Sequence, residues 1–167
     1  MSFSTGLLNA AEHLLQTCRR KGRLIATAES CTGGLIAGVL TAIPGSSDVV
    51  DCGFVTYSNA AKAKMIGVPE ATIRQHGAVS ADVAVAMAQG AIAQSRAHLA
   101  IAVTGVAGPG GGTDIKPVGL VWLAAAARDG HVRTRELRLG DIGREEVRLA
   151  TVGEALAMLQ ELADRDP

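Results

Sequence analysis

The chain is predicted to be an α/β protein, a single three-layer α/β/α domain around a mixed sheet, and three observations lead there. Segments with helical apolar spacing alternate with short apolar runs in both halves of the sequence. Near the end, Arg128-Asp129-Gly130 joins two strand-like runs with no helix between them, which adds an antiparallel hairpin to the sheet. The 167 residues are enough for one substantial core, so one domain is expected to take in residues 1–167.

Leu7, Leu8, Ala11, Leu14 and Leu15 recur at helical spacing after Ser4-Thr5, and Gly22 follows Arg19-Arg20-Lys21, so a helix is predicted over 5–21. Residues 23–27 read as a short buried strand. Helical spacing returns over 32–40 and ends in the turn residues Ile43-Pro44-Gly45-Ser46-Ser47. Residues 49–57, β-branched and aromatic, read as a strand, after which Ser58 can cap a short helix carrying Lys62 and Lys64. Pro69-Glu70 opens another short helix toward Gln75, stopped at His76-Gly77. Ser80 caps a long Ala-rich helix to about Arg96, and residues 99–104 form a strongly apolar strand. Residues 118–127 and 132–139 flank the hairpin step as strands, and helical period resumes from about Arg144 to Leu162.

Composition narrows the function classes. Sixteen Lys+Arg balance sixteen Asp+Glu, so adhesion to nucleic acid or to a membrane surface has no electrostatic driving force. Aromatic residues are 2% of the chain, too few to stack a series of bases. Cys18, Cys31 and Cys52 are odd in number and lack C-x-x-C spacing, so they read as reduced thiols and encode no zinc site. No signal peptide or membrane-spanning run is visible, and the cytoplasm is the expected compartment.

Four places can carry chemistry. Thr27-Ala28-Glu29-Ser30-Cys31-Thr32-Gly33-Gly34 ends an apolar run and opens a helical pattern. A hydroxyl there sits beside unpaired helix N–H groups, which suits a nucleophile or an anion-binding loop, while Ser30 or Thr32 can equally be a helix cap. The second place is the loop from Thr104 through Gly105, Gly108, Gly110, Gly111 and Gly112, where backbone can approach a phosphate or ribose closely. It lacks the spacing of a phosphate loop or dinucleotide fingerprint, and a plain surface loop is the competing reading. The third group is Tyr57, Lys62 and Lys64, since a desolvated lysine loses its proton more readily and can take one from a serine hydroxyl. Lys62 and Lys64 face different directions on a helix, and either can be the inward one. Arg144, after Gly140-Asp141-Ile142-Gly143, offers a planar fork for a phosphate or carboxylate, or a partner for nearby glutamates.

Taken in order, Ala28-Glu29-Ser30-Cys31-Thr32-Gly33-Gly34, Val55-Thr56-Tyr57-Ser58-Asn59-Ala60-Ala61-Lys62, His76-Gly77-Ala78-Val79-Ser80, the Thr104–Gly112 loop and Lys116-Pro117-Val118-Gly119 resemble the CinA C-terminal-domain family. The resemblance runs from the first helix through Arg144-Glu145-Glu146-Val147-Arg148. It implies a nicotinamide-nucleotide amidohydrolase that deamidates nicotinamide mononucleotide (NMN) to nicotinate mononucleotide and ammonia. Ser30 matches the family's nucleophile and Lys62 its general base, with Tyr57 in the same site. Thr104 and the glycines at 105, 108 and 110 would face the ligand, Thr32-Gly33-Gly34 would supply N–H groups to the oxyanion, and Arg144 would lie near the phosphate. The resemblance implies no metal and no cofactor.

Two departures stand out. The family often has Gly-Asp-Arg directly before the last helix, whereas Ile142-Gly143 separate Asp141 from Arg144 here. Many family chains also carry a larger N-terminal domain, so this sequence is expected to be a stand-alone form or a fragment of a two-domain protein. The competing function is a catalytically silent nucleotide-binding or regulatory module linked to competence or DNA-damage responses. The Ser30, Tyr57 and Lys62 set favours the enzyme, because binding alone needs no serine–lysine pair. A third reading, a structural assembly protein, rests only on an apolar, Ala-rich surface able to pack between subunits, and a homo-oligomer is expected with any of the three.

Overall fold

The computed structural model describes residues 2–167. Its elements run α1 (Thr5–Arg20), β1 (Ile25–Glu29), α2 (Leu35–Thr41), β2 (Val50–Val55), α3 (Asn59–Ile66), α4 (Glu70–His76), α5 (Ala81–Ala93), β3 (Leu99–Gly105), β4 (Leu120–Ala127), β5 (Val132–Arg138) and α6 (Arg144–Asp164). The five strands form one sheet in the order β2-β1-β3-β4-β5. β1 pairs in parallel with β2 and with β3, while β3–β4 and β4–β5 are antiparallel. The sheet is therefore mixed, as expected, and helices cover both faces.

Strand register decides what each face offers. Ala26 and Ala28 on β1 stand opposite Ala100 and Ala102 on β3, which in turn stand opposite Ala126 and Ala124 on β4. Successive side chains alternate between faces, so these six alanines share one face. The centre of that face thus carries only methyl groups, with Phe54 and Trp122 packed beside them, and α5 lies on it with its own Val83, Ala84, Met87, Ala88 and Ala91 buried. On the opposite face Ile25, Ile101, Val103, Val121 and Leu123 pack with buried residues of α1, α2 and α6 such as Leu14, Leu15, Ile36, Leu156 and Leu159.

Serines close three helix starts as the sequence suggests. Ser4 Oγ accepts from Leu7 N, Ser58 Oγ from Ala61 N and Ser80 Oγ from Val83 N. Several boundaries differ from expectation. The second helix begins at Leu35 rather than residue 32, because Gly33 and Gly34 have φ of +57° and +99°, a conformation that no right-handed helix contains. The 49–57 strand ends at Val55, and the helix after Ser80 ends at Ala93 instead of near Arg96. The 118–127 strand starts at Leu120, since Gly119 turns at φ +87° against Gly140. Ser46–Asp48, expected as a plain turn, forms one turn of 3-10 helix. Among the described residues no helix is long and apolar enough to cross a membrane.

Candidate active site

From β1 the chain passes through α2 to β2 on one side, and β3 then enters on the other side of β1. Strand ends at such a switch point leave a crevice between the loops that depart in opposite directions. Ser30 is the first residue beyond β1. Its N–H donates to Val103 O at 3.0 Å, and its carbonyl accepts from Gly33 N at 3.0 Å, so the serine is held in a tight turn at the mouth of the crevice.

Lys62 reaches the same point from α3. It is 1% exposed, and its Nζ donates to Ser30 Oγ at 3.1 Å and to Thr56 O at 2.9 Å. Both partners are neutral oxygens, so water is replaced without a countercharge. Burial holds the Lys62 pKa below that of an ordinary lysine. Lys64 is exposed, which answers the question of which lysine points inward. Lys62 can sit so deep because α3 lies hard against α5 at Gly90, where a Cβ would overlap the carbonyl of Ile66.

The cleft around this pair has a volume of about 230 Å³. Cys31, Tyr57 and Asn59 form one side, and Ala78, Val79, Thr104 and Gly105 the other. Thr104 is buried and donates from Oγ1 to Ala78 O at 2.8 Å, tying the end of β3 to the segment before α5. Arg144 closes one end, donating from Nη1 to Gly108 O and from Nη2 to Tyr57 Oη, each at 2.8 Å. The guanidinium thus bridges the glycine loop and the β2–α3 connection. Cys31 is 5% exposed, and burial pushes its thiol up to about 11.

Some expected site residues lie elsewhere. Thr32, Gly33 and Gly34 do not line the cleft. Thr32 Oγ1 donates to Glu29, and the Gly33 N–H is engaged with Ser30 O, so that N–H is not free for an oxyanion. Neither Ser30 nor Thr32 caps α2, whose first residues are met by the Glu29 carboxylate. Gly108 and Gly110 are also outside the cleft walls, Gly108 touching the site only through its carbonyl to Arg144. A Cβ at Gly110 would meet nothing within 4 Å, as befits an open loop rather than a cradle. Gly105 is required for another reason, because a Cβ there would press on Val121 and the Leu120 carbonyl of the neighbouring strand.

Sequence reasoning passed over Glu29, Asn59 and Arg148. Arg148 donates from Nε to Cys31 O and from Nη2 to Thr32 O, gripping the turn after Ser30 from α6. The available signal was a glutamate at the end of an otherwise apolar strand, flanked by Thr27 and Thr32. A wider groove of about 760 Å³ runs along α4 and α5, but His76 and Asp82, the ionisable groups on its walls, are exposed.

Fold and site together define a mixed-sheet α/β protein with a buried lysine on a serine at the switch point. The chain belongs to the CinA C-terminal domain family, whose model matches residues 8–163. It is 49% identical over 154 residues to a nicotinamide-nucleotide amidohydrolase PncC of Escherichia coli K12, covering 92% of each chain. The PncC of Pseudomonas putida is 52% identical over 151 residues, 90% of this chain and 91% of that one. A CinA-like protein of Akkermansia muciniphila is 51% identical over 142 residues, and this chain spans only 34% of its length. Among solved structures, the competence/damage inducible protein CihA of Agrobacterium tumefaciens superposes with a TM-score of 0.95 at 54% identity, over 99% of this chain and 100% of that one.

Proposed function

We propose that this protein hydrolyses the carboxamide of NMN to nicotinate mononucleotide and ammonia, in the cytoplasmic recycling of pyridine nucleotides. The single observation that carries the reading is the buried Lys62 amine 3.1 Å from the Ser30 hydroxyl. The amidohydrolase names of relatives matched over nine-tenths of their length supply the substrate class. In its neutral form Lys62 accepts the Ser30 proton, and Ser30 Oγ forms a bond to the carboxamide carbon. The protonated Lys62 then returns a proton to the departing nitrogen as the C–N bond breaks, leaving an ester on Ser30 and free ammonia. Water, deprotonated by the same amine, cleaves that ester. Thr104 and Tyr57 border the substrate, and Arg144 receives the phosphate by exchanging one of its present contacts for a charge-assisted bond.

The test is to incubate purified protein with NMN and assay ammonia together with nicotinate mononucleotide. Ser30→Ala and Lys62→Met are each expected to lose about 10³-fold or more in kcat while keeping the native thermal transition. Retained NMN binding by calorimetry with neither product formed by the wild-type protein would replace this reading with the silent nucleotide-binding module.

A further inference from the structure

Glu29 is the most deeply committed polar side chain that the reaction does not use. It is 0% exposed. Its Oε1 accepts from Thr32 Oγ1 at 2.7 Å and from Ile36 N at 2.8 Å, and its Oε2 accepts from Ala37 N at 3.0 Å and from Thr27 Oγ1 at 3.4 Å. The carboxylate therefore joins β1, the turn carrying Ser30 and the first residues of α2 at one point. The main chain of the same residue reaches the other partner. Glu29 O accepts from Thr56 N at 2.9 Å, and Thr56 O is the acceptor that holds Lys62 Nζ.

We propose that Glu29 is a positioning residue for the Ser30–Lys62 pair, setting the serine through its side chain and the lysine through its backbone. The proposal rests on the serine–lysine reading above. A cap on α2 alone needs only the bonds to Ile36 and Ala37. The bond to Thr32 adds something a cap does not, since Thr32 is two residues beyond Ser30 and its carbonyl is gripped from the far side by Arg148. The turn is thus held at the Thr32 hydroxyl by Glu29 and at the Cys31 and Thr32 carbonyls by Arg148. Four donors converge on two oxygens, an arrangement that only an acceptor without hydrogens satisfies fully. Glutamine keeps the shape but turns an NH₂ toward at least one backbone N–H, so the turn must shift.

The experiment measures two rates on the full chain. One is kcat and KM for NMN. The other is phosphonylation of Ser30 by a fluorophosphonate, followed by mass spectrometry, in which Ser30 Oγ bonds to phosphorus, fluoride leaves and Lys62 takes the proton. Glu29→Gln is expected to lower both kcat and the labelling rate by about 10²-fold, the effect of a misplacement near 1 Å, with KM within about threefold of wild type. A purely structural role would lower the melting temperature yet leave kcat and labelling of the folded protein unchanged, and that result overturns the proposal. Should Glu29→Gln not fold, Thr32→Val decides, because it leaves the bonds to Ile36 and Ala37 and removes only the tie to the turn. It is expected to slow labelling about tenfold, a lost charge-assisted bond, and an unchanged rate rejects the proposal. If wild-type protein is labelled at Ser30 but does not turn over NMN, the substrate assignment fails and the labelling rates still judge Glu29. If wild-type Ser30 is not labelled, the pair is not activated and the proposal falls with it.

Discussion

At the scale of single residues, the decisive choice is to bury an amine with no carboxylate beside it. Removing Lys62 from water disfavours its charged form, and its two hydrogen bonds to neutral oxygens do not restore the lost hydration. Two pH effects follow. Because the neutral amine is the base, kcat should rise with pH along a limb whose midpoint lies below that of an ordinary lysine, and Lys62→Met should remove that limb along with the activity. The stability effect has its own sign. Between the lowered folded pKa and the ordinary value, the unfolded chain holds more protons than the folded one, so stability rises with pH. Wild type should therefore gain on Lys62→Met by about 1.4 kcal/mol for each pH unit within that window and by nothing below it. Parallel melting curves of the two proteins from neutral pH to about pH 10 check this, and a constant difference between them contradicts the burial argument.

At the scale of elements, the site depends on how closely two helices approach. Gly90 on α5 has no room for a Cβ beside the carbonyl of Ile66, the last residue of α3. Gly90→Ala should force α3 outward, costing about 1–3 kcal/mol as overpacked cores do, and should lower kcat because α3 carries Lys62. Chemical denaturation and NMN turnover on the same preparation measure both effects. Arg144 opens α6 and reaches across to Gly108 and Tyr57. Arg144→Ala should raise KM for NMN about 10- to 100-fold, the value of one or two charged hydrogen bonds, with a much smaller change for the phosphate-free riboside. An equal rise for both compounds would remove the phosphate role. These elements also show what local sequence reveals. Ser58 and Ser80 announced their helices because a cap acts within three residues. The start of α2 stayed hidden because its cap is Glu29, seven residues before Ile36, and because Gly33 and Gly34 read as helix although they turn the chain. Periodicity placed Lys62 and Lys64 on different faces, but only the docking of α3 on α5 decides which face is inside.

At the scale of the whole molecule, alternation of helix and strand was enough to read a layered α/β fold, since each strand run and each apolar helix face needs a partner layer. Strand order was not legible, because it depends on which crossovers pack, and the cleft exists only through that order. The thiols report on this architecture. Cys18 is fully buried on α1 and Cys31 is 5% exposed beside Ser30, both in the core beneath α1, α2 and α6. Burial pushes each thiol up to about 11, so at pH 8 only about 10⁻³ of either is thiolate even where reagent can reach. Cys52 lies on the edge strand β2, is partly accessible, and is raised less far by its shallower burial. A disulfide reagent added to native protein at pH 8 should therefore label Cys52 first. Cys18 should follow at a rate that rises with urea along the slope of global unfolding, because its layer opens only when the sheet and its helices separate, and Cys31, 5% exposed at the cleft wall, should stay as slow while the turn after Ser30 holds. Cys31 labelling as fast as Cys52, while Cys18 stays protected, would mean that the turn holding Ser30 opens by itself. Its grip by Glu29 and Arg148 would then be too weak to fix the serine against Lys62.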